Sequence, residues 1–172
     1  MRSLPARFMR LLRHRWFEDV RLRRAFPRTL LEALARRVSA SEQHHTGQIC
    51  VCIEGGLPAS YIWRDAGVRE RAIMMFAKLR VWDTEHNNGV LIYLLLAERA
   101  IEIVADRGID ARVPDTHWNA LTHHMSDAFG QGHFEQGMAQ ALDEVIALLG
   151  AHFPRQQGDD VRNELPDAPV VI

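Results

Sequence analysis

Residues 90–97 form an unbroken apolar run with the sequence VLIYLLLA. The run is too short to cross a membrane, which takes about 20 apolar residues. A continuous apolar segment of this length is typical of a strand that is buried on both faces of a sheet. Such a strand has to be covered by helices on both sides, so we expect a layered α/β domain.

The segments around this run predict the rest of the sheet. Residues 48–54 alternate between two faces and indicate a first strand, and a helix over residues 63–79 separates it from the central strand. A strand–helix–strand unit of this kind is parallel and right-handed. Glu98 and Arg99 leave room only for a tight reversal, so residues 101–105 should return as an antiparallel third strand. We therefore expect a small mixed sheet of three or four strands, followed by two helices.

Charge divides the chain into a basic arm and an acidic body, although the net charge is only −1. Residues 1–40 carry +8 and the remainder carries −9. We predict a basic N-terminal arm or helix over residues 1–26, an α/β domain over residues 27–154, and a loosely ordered C-terminal tail over residues 155–172. The arginine-rich start lacks the continuous apolar segment of a secretory signal, so we expect a cytoplasmic protein.

Within the arm, apolar residues recur at a spacing of four, which indicates an amphipathic helix. They are Phe8, Leu12, Trp16 and Val20. Our first expectation is that this stripe packs against the body of the protein or against a partner subunit. The alternatives are a peripheral contact of residues 1–25 with an anionic membrane surface, or binding of nucleic-acid phosphates by the arginines. No recognition motif accompanies the arginines, so we expect no specific nucleic-acid partner.

The antiparallel return brings the end of the third strand next to the start of the second. Five residues with oxygen ligands are thereby expected at one edge of the sheet: Asp83, Thr84, Asn88, Asp106 and Asp110. Four more are expected nearby: Glu42, Thr46, Asn87 and Asp115. Carboxylate, amide and hydroxyl oxygens suit Ca²⁺ or Mg²⁺, so the five residues predict a metal site. The alternative is that they cap helices and turns.

Other chemistries lack their usual sequence patterns. Gly55 and Gly56 follow the first strand, but there is no G-x-G-x-x-G and no P-loop lysine, so we expect no nucleotide cofactor. The nine histidines form no H-E-x-x-H zinc motif. Cys50 and Cys52 lie two residues apart in one strand, which prevents a disulfide between them. Neither cysteine is followed by the arginine of a phosphate-binding loop, so covalent catalysis has no candidate nucleophile.

Several short motifs, in order along the chain, resemble the TPM domain family. They are residues 46–51 (TGQICV), 88–93 (NGVLIY) and 103–109 (IVADRGI), Trp118, the pattern F-x-x-G-x-F-x-x-G from Phe129 to Gly137, and Phe153-Pro154 with residues 163–167 (NELPD). The resemblance covers roughly residues 28–167 and is to the short bacterial subtype, which has neither a signal peptide nor a membrane span. It implies a Rossmann-like three-layer α/β/α sandwich.

The resemblance also implies two kinds of function. The family carries a phosphatase label, and some members bind Ca²⁺ or Mg²⁺ through loop carboxylates. Other members are accessory proteins, and bacterial ones are often encoded beside a LemA-type membrane protein. The first implication is a binding or accessory module at the inner membrane face with a LemA-type partner. The alternative is a divalent-metal-dependent phosphatase in which Asp83 and Asp106 hold the cation and Asn88 assists.

Overall fold

The computed structural model describes residues 4–16, 20–158 and 162–172. Its helices are α1 (Leu4–Trp16), α2 (Val20–Ala25), α3 (Arg28–Ser41), α4 (Ala59–Trp63), α5 (Val68–Lys78), α6 (Arg107–Asp110), α7 (Asp115–Gly130) and α8 (Phe134–His152). Its strands are β1 (Gln48–Glu54), β2 (Gly89–Leu95), β3 (Ala100–Ala105) and β4 (Val170–Val171). The remaining parts of the predicted arm and tail, at residues 1–3, 17–19 and 159–161, lie outside the described residues.

The four strands form one mixed sheet in the order β3-β2-β1-β4. β1 runs parallel to β2, with Gln48 opposite Gly89, and it also runs parallel to β4. β3 returns antiparallel to β2, with Ala105 opposite Val90. The reversal between them is a short 3-10 helix, Leu96–Glu98. The mixed sheet expected from the sequence is therefore confirmed.

Helices cover both faces of the sheet, because successive side chains of a strand point to opposite sides. Ile49, Val51 and Ile53 of β1 pack into a core with α3, α7 and α8. Cys50 and Cys52 point the other way, into a second core with α4 and α5. All seven residues of β2 are buried, as the apolar run predicts. The result is the expected three-layer α/β/α sandwich.

The helix predicted over residues 63–79 begins later in the structure, as α5 (Val68–Lys78), and a helix that was not expected, α4 (Ala59–Trp63), precedes it. α4 begins after Pro58, which is favourable at a helix start. It ends before Asp65, whose backbone is left-handed with φ of 57°. α5 begins after Gly67 in extended conformation. The predicted helix included residues 64–67, which form the turn between α4 and α5.

The C-terminal tail is ordered over residues 162–172, where the sequence predicted a loose segment. The Gln48 side-chain oxygen accepts hydrogen bonds from the backbone N–H groups of Glu164 and Leu165, at 3.1 and 3.2 Å. Leu165 is buried in the core beneath α4 and α5. Val170–Val171 then pairs with β1 as strand β4. The physical reason is that the free edge of β1 offers backbone groups that the tail can pair.

The basic arm also differs from the first expectation. Phe8 and Leu12 of α1 are exposed, so the expected packing on the body of the protein is wrong for these two residues, and packing on a partner subunit stays a prediction. The side chains of Trp16 and Val20 lie outside the described residues. Over the described parts of the chain, no helix combines the length and the apolar character that a membrane span requires.

Candidate functional site

The loop before β2 and the turn after β3 meet at one edge of the sheet, as the topology predicts. The Asp106 N–H donates to the Gly89 carbonyl at 2.8 Å, and the Gly108 N–H donates to the Asn87 carbonyl at 2.9 Å. The Arg107 Nε donates to the Asn87 side-chain oxygen at 3.2 Å. Glycine is required at 108, because a Cβ there would lie 2.5 Å from the Asn87 carbonyl oxygen. These bonds hold the two loops together.

Asn88 is buried at this edge, beside two threonines. Its N–H donates to the Thr84 hydroxyl at 3.1 Å, and its side-chain NH₂ lies 3.4 Å from the Thr46 hydroxyl. Thr84 is buried as well. The Asn88 Oδ1 is buried and has no hydrogen-bond partner among the described residues. A buried amide oxygen is usually paired, so this atom marks the site.

Asp106 provides a second oxygen of the same kind. The residue is buried and is the N-cap of α6, with Oδ1 accepting the Arg107 N–H at 2.8 Å. The Asp106 Oδ2 is buried without a hydrogen-bond partner in the described parts of the chain. The capping role anticipated as the alternative is thus present, but it occupies only one of the two carboxylate oxygens.

Asp83 and Asp110, the other two predicted carboxylates, have different surroundings. Asp83 is exposed and lies 3.6 Å from Arg80. Asp110 is exposed on α6 and lines a separate pocket with Glu102 and Trp118. The structure therefore brings Thr84, Asn88 and Asp106 to the edge, with Thr46. The Asp115 side chain lies outside the described residues.

Glu42 lies next to the C-terminal tail instead of the edge loops. Burial and the nearby Asp167 raise the pKa of Glu42 to about 7, against the opposing effect of Arg155. The Arg155 guanidinium donates to the Glu42 carbonyl at 3.1 Å. We therefore assign Glu42 to the tail contact rather than to the candidate site.

The edge offers a cation few protein ligands. No three His, Cys, Asp or Glu side chains within the described ranges are close enough to hold a metal ion. Asp106 and Asn88 each have one buried side-chain oxygen without a hydrogen-bond partner among the described residues. That set suits Mg²⁺, which is held by one or two carboxylates and keeps waters or ligand oxygens in its remaining positions. The described residues of this edge do not surround a cation with carboxylates on all sides.

A cleft of about 850 Å³ opens beside the edge. Its walls are Thr46, Glu85, His86, Arg112, His152, Phe153, Pro154, Gln156, Arg162 and Glu164. The Arg112 guanidinium stacks 4.2 Å from the centre of the Phe153 ring. The Glu164 carboxylate accepts the Glu85 N–H at 3.1 and 3.2 Å. The cleft was not anticipated, because its walls come from segments far apart in sequence and no local pattern joins them.

The opposite edge of the sheet is filled by the protein itself. The Gly55 N–H donates to the Ile172 carbonyl at 2.9 Å. A Cβ at Gly56 would lie 2.6 Å from the His14 carbonyl oxygen, so α1 sits directly on this turn. The glycine pair is therefore occupied by the tail and by α1, and in this structure it serves close packing.

The cysteines and the buried histidine behave as core residues. Burial raises the pKa of the Cys50 thiol to about 11 and that of Cys52 to about 12, so neither forms a thiolate nucleophile near neutral pH. His45 is buried, and burial lowers its pKa. Its Nδ1 donates to the Gly47 carbonyl at 3.0 Å, which fixes the tautomer of the neutral ring.

The fold and the edge together define a Rossmann-like α/β/α domain with a small polar site at the start of its central strand. A model of the TPM domain matches residues 24–148, so the chain belongs to the TPM domain family. Among curated proteins, none matches this chain.

Two solved structures are similar to this chain. The BA42 protein from the psychrophilic bacterium Bizionia argentinensis is 26% identical, with a TM-score of 0.71 over 83% of this chain and 92% of that one. The N-terminal domain of a protein from P. gingivalis is 20% identical, with a TM-score of 0.57 over 73% of this chain and 79% of that one. The second likeness concerns the fold alone.

Proposed function

We propose that this TPM-domain protein is a binding or accessory module whose ligand-binding edge is formed by Asn88 and Asp106. The observation that carries the proposal is the pair of buried side-chain oxygens, Asn88 Oδ1 and Asp106 Oδ2, without hydrogen-bond partners among the described residues. A buried polar atom without a partner costs about 1–3 kcal/mol. A ligand that supplies the missing interaction would offset this cost, which favours an edge built to take one.

The ligand of this edge is a divalent cation, Ca²⁺ or Mg²⁺. Asp106 and Asn88 would hold it, while the Thr84 hydroxyl accepts the Asn88 backbone N–H and the Thr46 hydroxyl accepts its side-chain NH₂. Hard cations prefer carboxylate and amide oxygens over nitrogen and sulfur. When bound, the cation supplies a positive charge beside the cleft, where an anionic ligand or partner group can complete its coordination.

Calorimetric titration of the chelator-stripped protein with Ca²⁺ and Mg²⁺ tests this proposal. We expect binding to the native chain and at least roughly tenfold weaker binding to Asp106→Asn, because the variant loses the buried carboxylate of the edge. Asparagine is also a good N-cap, so the α6 start should survive. Asp83→Asn is the matched control, since Asp83 is exposed and pairs with Arg80. Absence of heat from the folded native protein would contradict the proposal.

A metal-dependent phosphatase is the second candidate, and the cleft supports it. Arg112, Arg162, His86 and His152 on its walls are groups that bind phosphate oxygens. In this function Asp106 would hold the cation with Asn88, and the cation would supply polarisation of a phosphoryl oxygen and of water. Hydrolysis of p-nitrophenyl phosphate that needs Mg²⁺ and is lost in Asp106→Asn would favour the enzyme. Cation binding without hydrolysis of any phosphate ester would favour the module.

The accessory role includes a partner and a location. We propose a LemA-type membrane protein as the partner and the inner membrane face as the place of action. Membership of the TPM family supports the partner, and the basic, outward-facing α1 supports the location. If the partner binds a surface away from the cation edge, its binding should persist in Asp106→Asn. If the cation edge itself holds the partner, its binding should disappear when a chelator is added.

A further inference from the structure

Helix α1 holds two polar side chains and Leu11 toward the protein, and it exposes three other apolar side chains. Arg10 and His14 are buried against the body. Phe8, Met9 and Leu12 are exposed by 56%, 66% and 50%. A helix on the surface of a globular protein normally has the opposite orientation, with the apolar stripe buried. The described fold does not bury the exposed stripe of α1 (Phe8, Met9 and Leu12), which favours a binding partner that covers it.

The orientation of α1 is fixed by a set of hydrogen bonds around Glu98. The Glu98 carboxylate accepts from the Arg10 Nε at 2.5 Å and from the His14 Nε2 at 3.0 Å. The His14 Nδ1 accepts the Leu57 N–H at 2.8 Å, so the ring hydrogen is on Nε2. Arg10 also donates to the Ala66 carbonyl at 3.0 Å. Because both polar side chains are held on two sides, α1 cannot roll to bury its apolar stripe without breaking these bonds.

The positive charge around the exposed stripe favours an anionic partner. Residues 1–40 carry a net charge of +8, and the rest of the chain carries −9. Arg13 is half exposed on α1, and Arg23 and Arg24 are exposed on α2. An apolar stripe beside exposed arginines is the combination that lies in the headgroup region of an anionic bilayer. The acidic body would be repelled from the same surface, which would orient the protein with α1 toward the lipid.

We infer that α1 binds anionic lipid bilayers, with Phe8, Met9 and Leu12 inserted among the headgroups and the arginines facing lipid phosphates. This inference deepens the proposed role at the membrane face by naming the surface and the lipid class. It does not depend on the cation edge, which lies at the opposite end of β2.

Vesicle co-sedimentation of the full chain tests the inference, with phosphatidylcholine vesicles that contain or lack phosphatidylglycerol. We expect binding to the anionic vesicles and much weaker binding to the neutral ones, with a decrease at high salt. The double variant Phe8→Ser/Leu12→Ser should bind roughly tenfold or more weakly, because two apolar side chains no longer insert. Met9→Ser is a second variant at the most exposed position of the stripe.

Trp82→Ser is the matched control, because Trp82 is equally exposed but lies before β2, at the end of the sheet away from α1. It should bind vesicles like the native chain. Native protein that stays in the supernatant with anionic vesicles, or variants that bind as well as it does, would overturn the inference. Self-association that requires Phe8 and Leu12, seen by sedimentation velocity without vesicle binding, would overturn it in favour of a protein interface.

The two proposals fail separately. The double variant Phe8→Ser/Leu12→Ser should leave the calorimetric titration with cations unchanged, and Asp106→Asn should leave vesicle binding unchanged. Thermal melting of each variant by circular dichroism would show that the fold is retained, as the exposure of the three stripe residues leads us to expect.

Discussion

Glu54 shows at the scale of a single residue how a buried charge is kept inside this fold. Its carboxylate accepts from the Arg71 Nε and Nη2 at 2.8 and 2.6 Å, and from the Tyr93 hydroxyl at 2.6 Å. Burial and the Glu54 carboxylate raise the pKa of Tyr93, so the phenol stays protonated as a donor. Burial alone would lower the pKa of Arg71, but the Glu54 carboxylate raises it, so the guanidinium remains charged. The three groups satisfy one another and none is free for chemistry.

Removing one member of this network should be costly. We expect Arg71→Leu to lower the free energy of unfolding by about 3–5 kcal/mol, because it leaves the Glu54 carboxylate buried without its cation. Urea unfolding measures the loss. The matched control is Arg64→Leu, which removes an exposed ion pair with Glu70 and should cost less than about 1 kcal/mol. Equal losses in the two variants would show that Glu54 finds another partner.

At the scale of elements, the Glu98 carboxylate joins α1 to the body by accepting hydrogen bonds from both Arg10 and His14. Burial would raise the pKa of Glu98, but hydrogen bonds from His14 and Arg10 and the charge of Arg10 outweigh it and hold the value at about 2. A carboxylate with a lowered pKa contributes stability that is present above its unfolded value of 4.5 and is lost as the pH falls toward 2. The attachment of α1 should therefore hold at neutral and mildly acidic pH.

Glu98→Gln should loosen α1 while the sheet stays intact. Hydrogen bonds to a charged group contribute about 1.5–3 kcal/mol, so protection of the α1 amides from hydrogen exchange should fall roughly 10- to 100-fold. Exchange mass spectrometry of peptides from α1 and from β2 measures the difference. Asp143→Asn, which removes an exposed ion pair with Arg37, should leave α1 exchange unchanged. Unchanged protection in Glu98→Gln would place the attachment elsewhere.

At the scale of the whole molecule, the tail contacts β1 and α3 and encloses the cleft beside the candidate site. The carboxyl group of Glu42, at the end of α3, lies in the field of Asp167 from the tail and of Arg155. Its pKa of about 7 in the folded protein compares with 4.5 in the unfolded chain. The folded state therefore binds more protons between these values, and stability from this group is lost as the pH rises from about 4.5 to about 7.

Glu42→Gln should remove this pH dependence. We expect the free energy of unfolding of the variant to rise relative to that of the native chain between pH 4.5 and about 7. Above about pH 7 the difference between the two free energies should stay constant. Free energies of unfolding in urea on both sides of the window give the comparison. Glu32→Gln is the control on the same helix, because Glu32 is exposed. A difference that does not change with pH would show that Glu42 ionises in the folded protein as it does in the unfolded chain.

Local patterns anticipated the central elements well. The predicted first strand, residues 48–54, coincides with β1, and the apolar run at residues 90–97 overlaps β2 (Gly89–Leu95). Thr84, Asn88 and Asp106 were expected at one edge because a short reversal allows only an antiparallel return, and the structure places them there. The break between α4 and α5 was missed, because it depends on the left-handed backbone of Asp65 and not on apolar spacing.

The sequence by itself determined the three strands β1, β2 and β3, the two covered faces of the sheet, and the edge to which Asn88 and Asp106 belong. These follow from apolar periodicity and from the length of one reversal, both of which are local. Only the tertiary structure decided the outward turn of α1, the pairing of the tail with β1 and the walls of the cleft. Each of these depends on which buried polar group finds a partner far away in sequence, as Glu98 does with Arg10 and Gln48 does with Leu165. Hydrophobic spacing does not encode such choices, because it carries no information about which polar groups come together in the folded chain.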